Sequence, residues 1–205
     1  MTRRFIQLAV ATALALGACS GSPATSGPSG TNCPSAQPPA LPAGETRTVT
    51  IDTSKGHIVI KVEGSLSPIA AGNFVALASC GFYDGVVFHR TAKLDDVTPF
   101  VIQGGDPTGK GHGGPGYTIV DEPVTATYGR GTVAMARTGA PNSQGSQFFI
   151  VLSDDVGPIL QSANTYAIFG TVIEGIDTAD AILADADGEL PSHPIAMTAV
   201  SVSNP

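Results

Sequence analysis

Four histidines, His57, His89, His112 and His193, are the side chains best suited to proton transfer or metal ligation, and they are scattered singly along the chain. None falls in an H-E-x-x-H or comparable ligand spacing. Ser143 and Ser146 lack the G-x-S-x-G setting of a hydrolase nucleophile, and neither Cys33 nor Cys80 is embedded in a nucleophile motif. Hydrolytic and metal chemistry therefore gain no support. The stretch GGDPTGKGHGGPG, residues 104–116, fits G-x-G-x-x-G from Gly109 to Gly114. A dinucleotide site needs such glycines to open a helix inside a βαβ unit. Here Pro115 and Gly116 follow, then the extended-looking Tyr117-Thr118-Ile119-Val120. No helix N-terminus is expected to receive a pyrophosphate, so no cofactor is expected, and the loop's backbone is left to lie close to something else.

Three other stretches carry a different suggestion. GVVFHR (85–90) closes a buried-looking strand on Arg90, and PFVIQGGDP (99–107) sets Phe100 and Val101 beside Gln103. GAPNSQGSQFFIVLS (139–153) alternates Gln147 and Phe149 along one strand face. Taken one at a time, phenylalanines in strands are core and a strand-end arginine is solvated surface. Their meaning depends on the elements that position them.

Those elements are mostly strands. Val49 and Ile51 alternate with polar residues, as do Ile58, Ile60 and Val62, and Ser54-Lys55-Gly56 between them marks a hairpin. Ser67 is placed to cap a helix with Pro68 at its first position, and Gly81 to end it. Further strands are expected at 86–90, 100–103, 131–136, 147–152, 167–173 and 194–202, with a second helix over 177–184. Eight short strands and two helices suggest a mainly β fold, a closed eight-stranded antiparallel barrel capped by the two α-helices.

In chain order, FHR, F-x-x-QGGDP-TG, GSQFFI and Phe169-Gly170 resemble the cyclophilins, peptidyl-prolyl cis–trans isomerases built on an eight-stranded barrel with two helices. The resemblance covers about residues 46–202, and it implies proline-containing polypeptides as substrates. Arg90 matches the family's catalytic arginine, with Gln103 at hand to hold its guanidinium. The proline pocket falls on Phe100, Val101 and Phe149, with Leu160 on its rim. Gln147 is the second glutamine lining the site, and Gly111 borders the groove. Ala136 and the residues after it form the wall that receives residues preceding the proline. Tyr166 stands where relatives commonly carry a histidine. A non-catalytic peptide-binding or chaperone module using the same groove is the alternative.

This chain also departs from the family pattern. The segment TAKLDDVTP (91–99) between Arg90 and Phe100 is longer than in most relatives. Arg137 and Thr138 replace the usual Asn and Ala in a loop one residue longer. The tryptophan of cyclosporin-sensitive members is absent, with Ile159 nearest, which implies weak cyclosporin binding.

The N-terminus reads as a targeting segment. Thr2-Arg3-Arg4 precedes an apolar run from Phe5 to Ala18 that is too short for a stop-transfer helix. The run ends Leu16-Gly17-Ala18-Cys19 and resembles a bacterial lipobox. Residues 1–18 are thus expected to be a signal peptide and Cys19 to be acylated, with an ordinary secretory signal cut near Ala18 as the alternative. Multiple acyl chains would give stable membrane anchoring. Residues 19–45, rich in Ser, Gly, Pro and Thr, are expected to be a flexible tether, and 46–205 the isomerase domain. Cys33 and Cys80 form either a disulfide suited to an oxidising compartment or two unpaired thiols. The expected location is the bacterial cell envelope, at the outer face of the cytoplasmic membrane or its periplasm-facing equivalent.

Composition narrows the partners. Ten Lys+Arg against seventeen Asp+Glu give a net charge of −7. No basic block is present and tryptophan is absent, so nucleic acid is not an expected partner. Nothing in the sequence suggests more than a monomer.

Overall fold

The structure is a computed structural model that describes residues 32–204. The signal segment and Cys19 lie outside the described residues.

Strict apolar alternation builds the first hairpin. Strand β1 (Thr46–Thr53) turns into β2 (Gly56–Glu63), pairing Val49 with Ile60 and Ile51 with Ile58. All four, with Val62, are completely buried. Six further strands follow: β3 (Arg90–Lys93), β4 (Pro99–Gly104), β5 (Thr132–Met135), β6 (Phe148–Val151), β7 (Ile168–Glu174) and β8 (Met197–Ser203). They form one antiparallel sheet in the order β3-β4-β6-β5-β7-β2-β1-β8.

This sheet is an open half-barrel, which corrects the expectation of a closed one. Strands β3 and β8 are its edges. The expected strand over 86–90 begins only at Arg90. Val87 makes isolated bridges to Asp106 and Ala196, and the remaining contacts are single bonds such as Gly85 N–H to the Met197 carbonyl at 2.7 Å. Residues 86–89 thus divide their backbone groups between two neighbours and pair continuously with neither.

Among the described residues three α-helices accompany the sheet rather than two: α1 (Pro68–Ser79), α2 (Gly157–Ala163) and α3 (Ile176–Asp185). Helix α2 has seven residues, too few to display a periodicity, but its start carries proline and its end the left-handed Asn164 (φ 45°). Helix α1 begins where expected, though Ser67 makes no side-chain cap. The Glu122 carboxylate takes that role, accepting from the Ile69 and Ala70 amides at 2.8 Å each.

The packed unit also reaches further back than residue 46. The expectation of a flexible tether up to residue 45 is corrected for residues 33–45, which lie against α1. Cys33 is joined to Cys80 just beyond the helix, with Cα atoms 5.2 Å apart. Leu41 is buried, and its amide donates to the Pro68 carbonyl at 2.9 Å. A Cβ on Gly72 would lie 2.2 Å from the Pro39 carbonyl oxygen, so only glycine lets this strap approach the helix. Covered by the strap on one side and the sheet on the other, α1 buries Ala70, Ala71, Asn73, Phe74, Leu77 and Ala78. A single leucine and one disulfide outweigh the polar composition that made the segment read as unfolded.

Candidate active site

Arg90 and Gln103 are opposite one another in the β3–β4 pair, so their side chains emerge together on one face of the sheet. Arg90 Nη1 donates to Gln103 Oε1 at 3.4 Å. Gln103 Nε2 donates to Gln147 Oε1 at 3.0 Å, and Gln147 Nε2 continues to the Gly113 carbonyl at 2.9 Å. Three side chains from separate stretches thus form one directed chain of hydrogen bonds, ending on the glycine loop.

Beside Arg90 lies a cavity of about 280 Å³ lined by Phe100, Val101, Phe149 and Leu160, with Gln103, Ala136, Arg137 and Tyr166 completing it. Val101 from β4 and Phe149 from β6 belong to neighbouring paired strands, and both are buried beneath the cavity. Tyr166 meets the Phe149 ring edge-on, with centroids 5.3 Å apart at 87°. Its backbone is gripped by Tyr128, whose hydroxyl donates to the Tyr166 carbonyl at 2.8 Å and accepts from the Tyr166 amide at 3.2 Å. Burial pushes the Tyr128 hydroxyl up to about 12, so it remains a proton donor.

A second cavity of about 590 Å³ adjoins the first through Gln103, Ala136 and Arg137. One side is the glycine loop, including Gly111 and Gly113, and the other is the segment from Ala136 to Thr138. Every residue expected in the groove thus lines one or other cavity, with Gln147 and Gly111 in the larger. Ile159, nearest to the missing tryptophan, is exposed on α2.

Three residues organise this groove, and of these the sequence singled out only Arg137, as a departure from the family pattern. Buried Asp106 accepts from the Thr108 amide at 2.7 Å, the Thr108 hydroxyl at 2.8 Å, the Lys110 amide at 3.1 Å and the Gly113 amide at 3.0 Å. Burial raises its pKa, but these donors overcome that effect and hold it at about 2. The loop therefore folds around a buried carboxylate where a dinucleotide loop would cradle phosphate, and its backbone passes over His89. Burial pushes the His89 pKa below the usual histidine value, while the nearby Asp106 charge pulls the other way.

Arg137 is the second. Its side chain is only 11% exposed, pairing with Asp121 at 3.0 Å and donating to the Ala140 carbonyl at 2.8 Å. Asp121 also accepts from the Asn142 amide and the Gln144 side chain. The departure from the family pattern in this loop is therefore an internally braced wall. The third is Glu189, whose carboxylate accepts from Arg90 Nε at 2.8 Å. An aspartate directly before a turn was a readable signal for Asp106. Neither ion pair had one: Arg90 and Glu189 are 99 residues apart in sequence, and Arg137 meets Asp121 from a different loop.

An apolar pocket flanked by a guanidinium and two linked amides, opening into a long groove, has the shape and chemistry to accept a ring within an extended peptide. The model of the cyclophilin type peptidyl-prolyl cis-trans isomerase family matches residues 48–202, and the chain belongs to that family. Its enzymatic activity is accordingly peptidyl-prolyl cis–trans isomerisation. The chain is 38% identical over 179 residues to peptidyl-prolyl cis-trans isomerase A of Mycobacterium tuberculosis, covering 77% of this chain and 93% of that one. It is 40% identical over 143 residues to the isomerase CYP18-2 of Arabidopsis thaliana, covering 67% and 81%. Among solved structures it is similar to a cyclophilin-type isomerase of Cryptosporidium parvum, at 35% identity and a TM-score of 0.67, over 78% of this chain and 99% of that one. The same Cryptosporidium protein in the presence of the dipeptide Ala-Pro gives a TM-score of 0.66 at 34% identity, over 77% and 99%.

Proposed function

We propose that Arg90 accelerates rotation about X-Pro bonds by donating a hydrogen bond to the imide nitrogen of the twisted amide. Rotation is slow because amide resonance must be broken, a barrier of about 20 kcal/mol. No covalent bond is exchanged, so the enzyme needs neither nucleophile nor cofactor. It needs to bind the twisted state better than either planar isomer. At the twist, the nitrogen recovers its lone pair and becomes an acceptor. A guanidinium suits the task because it stays charged at working pH and presents several donors in a fixed plane. Phe100, Val101, Phe149 and Leu160 hold the proline ring while the preceding residues turn against the wall at Ala136. Gln103 holds the guanidinium, and Gln147 holds Gln103.

The observation that carries this reading is Arg90 and the apolar cavity sharing one rim, with Gln103 bonded to both Arg90 and Gln147. The Ala-Pro dipeptide with which the Cryptosporidium relative was studied supports proline-containing peptides as this chain's ligands. The test is NMR exchange in an Ala-Pro peptide with the full chain and its Arg90→Ala variant. Loss of acceleration with binding kept supports the mechanism. Binding with no acceleration by the wild type would make the groove a peptide-holding module.

Leu16-Gly17-Ala18-Cys19 behind an apolar run supports a lipoprotein acylated at Cys19, working as a monomer on exported proteins in the cell envelope. The Cys33–Cys80 pair fits such an oxidising setting. Mass spectrometry of the chain from bacterial membranes should find acyl chains on Cys19 and a soluble product for Cys19→Ser. An unacylated wild type in the soluble fraction would refute the anchor.

A further inference from the structure

We infer that Glu189 is a positioning residue for isomerisation: its carboxylate sets the orientation of the Arg90 guanidinium. The inference rests on the proposed role of Arg90 and goes beyond it in assigning what holds that side chain. Gln103 contacts Nη1 at 3.4 Å, and one contact on one nitrogen does not by itself fix a planar group with several rotatable bonds behind it. Glu189 accepts from a different nitrogen, Nε, at 2.8 Å. Two contacts on two different nitrogens define the guanidinium plane and leave the Nη2 edge for a ligand.

The backbone explains how an exposed carboxylate can do this. An ordinary surface ion pair contributes little, because two long side chains must be immobilised to form it. Here the loop between α3 and β8 is bonded to the edge strand that carries Arg90. The Thr91 amide donates to the Glu189 carbonyl at 2.9 Å, and the Thr91 hydroxyl to the Gly188 carbonyl at 2.8 Å. The loop itself is closed by Asp187, which accepts from the Ser192 amide at 2.9 Å and from the Ser192 hydroxyl. The Glu189 backbone is thus fixed one residue from Arg90, and much of the cost of holding the pair is already met by the fold. The contact fills an otherwise unpaired edge of the half-barrel, so the open edge of the sheet becomes a support for the active site.

The test compares the full wild-type chain with Glu189→Ala, Glu189→Gln and Arg90→Ala. Three quantities are read: exchange of a bound Ala-Pro peptide, its Kd, and the Arg90 Nε–H signal in the NMR spectrum. Glu189→Ala should slow the bound exchange about three- to fivefold, leave Kd within about twofold, and weaken the Nε–H signal through faster exchange with water. Glu189→Gln keeps an acceptor and should stay within about twofold of wild type with the signal retained. Wild-type exchange in Glu189→Ala, or an equal loss in Glu189→Gln, would overturn the positioning role while the Arg90 dependence still stands. An inactive wild type, or full activity in Arg90→Ala, would instead overturn the reading of Arg90 on which it rests.

Discussion

Gln103 in β4 donates at 3.0 Å to Gln147, the residue just before β6, and through this one bond Arg90 is tied to the glycine loop on the far side of the groove. Both amides are used twice, so removing either leaves a partner unmatched. Gln103→Ala and Gln147→Ala should each reduce catalysed exchange about fivefold, the worth of roughly one hydrogen bond. The double variant should lose less than the product of the two, because the residues act as one unit. Losses that multiply independently would show that the chain is not a unit.

Tyr128 supports the proline pocket from behind. Tyr128→Phe removes a hydroxyl that both donates to and accepts from the Tyr166 backbone. It should cost about 1–2 kcal/mol in chemical denaturation, since a backbone carbonyl and amide lose their partner. It should also weaken Ala-Pro peptide binding, because Tyr166 no longer holds the Phe149 ring in place. A variant with wild-type stability and affinity would mean that the pocket wall is self-supporting.

The strap makes a prediction about stability. Reducing the Cys33–Cys80 bond, which spans 47 residues, should lower unfolding free energy by about 2–4 kcal/mol. Gly72→Ala should displace the strap without touching the thiols, because the added carbon would fall 2.2 Å from the Pro39 oxygen. Amide exchange at Leu41 reports this directly and should accelerate in both cases. Unchanged protection at Leu41 would show that the strap does not depend on these contacts.

Acid should unfold the glycine loop's anchor. Asp106 binds its proton less readily in the folded chain than in the unfolded one, at about 2 against the ordinary 3.8. Its stabilisation, about 2 kcal/mol, is complete above pH ~4 and is lost as pH falls towards 2. His89 adds to the same limb, because its lowered value means that the unfolded chain takes up a proton first as pH drops below ~6.5. Asp106→Asn should therefore be less stable at neutral pH but show a shallower loss between pH 4 and 2 in denaturant titrations. An equally steep loss in that window would assign the acid sensitivity elsewhere.

These residues also show where sequence reading succeeds and where it stops. Val49 to Val62 could be read as a hairpin because both strands have one fully buried face, and alternation records that burial residue by residue. The pocket residues came with the motifs PFVIQGGDP and GSQFFI, which lie on paired strands and so arrive at the site together. Helix α2 was invisible because seven residues do not complete two full turns of pattern. The strap was misread because its hold on the fold comes from single contacts, Leu41 and Cys33, and not from average composition. Glu189, and the brace that Arg137 forms with Asp121, were beyond reach for a similar reason. Each works through a partner that only the folded chain brings near.

The central claim is that the fork of donors on Arg90, and not merely its positive charge, drives rotation of the proline bond. Arg90→Lys tests it most directly, since lysine keeps the charge but offers a compact ammonium without the planar fork. NMR exchange of an Ala-Pro peptide at saturation should fall at least about tenfold in Arg90→Lys, close to the level of Arg90→Ala, with Kd little changed. Near-wild-type exchange in Arg90→Lys would contradict the account and leave charge alone as the active feature.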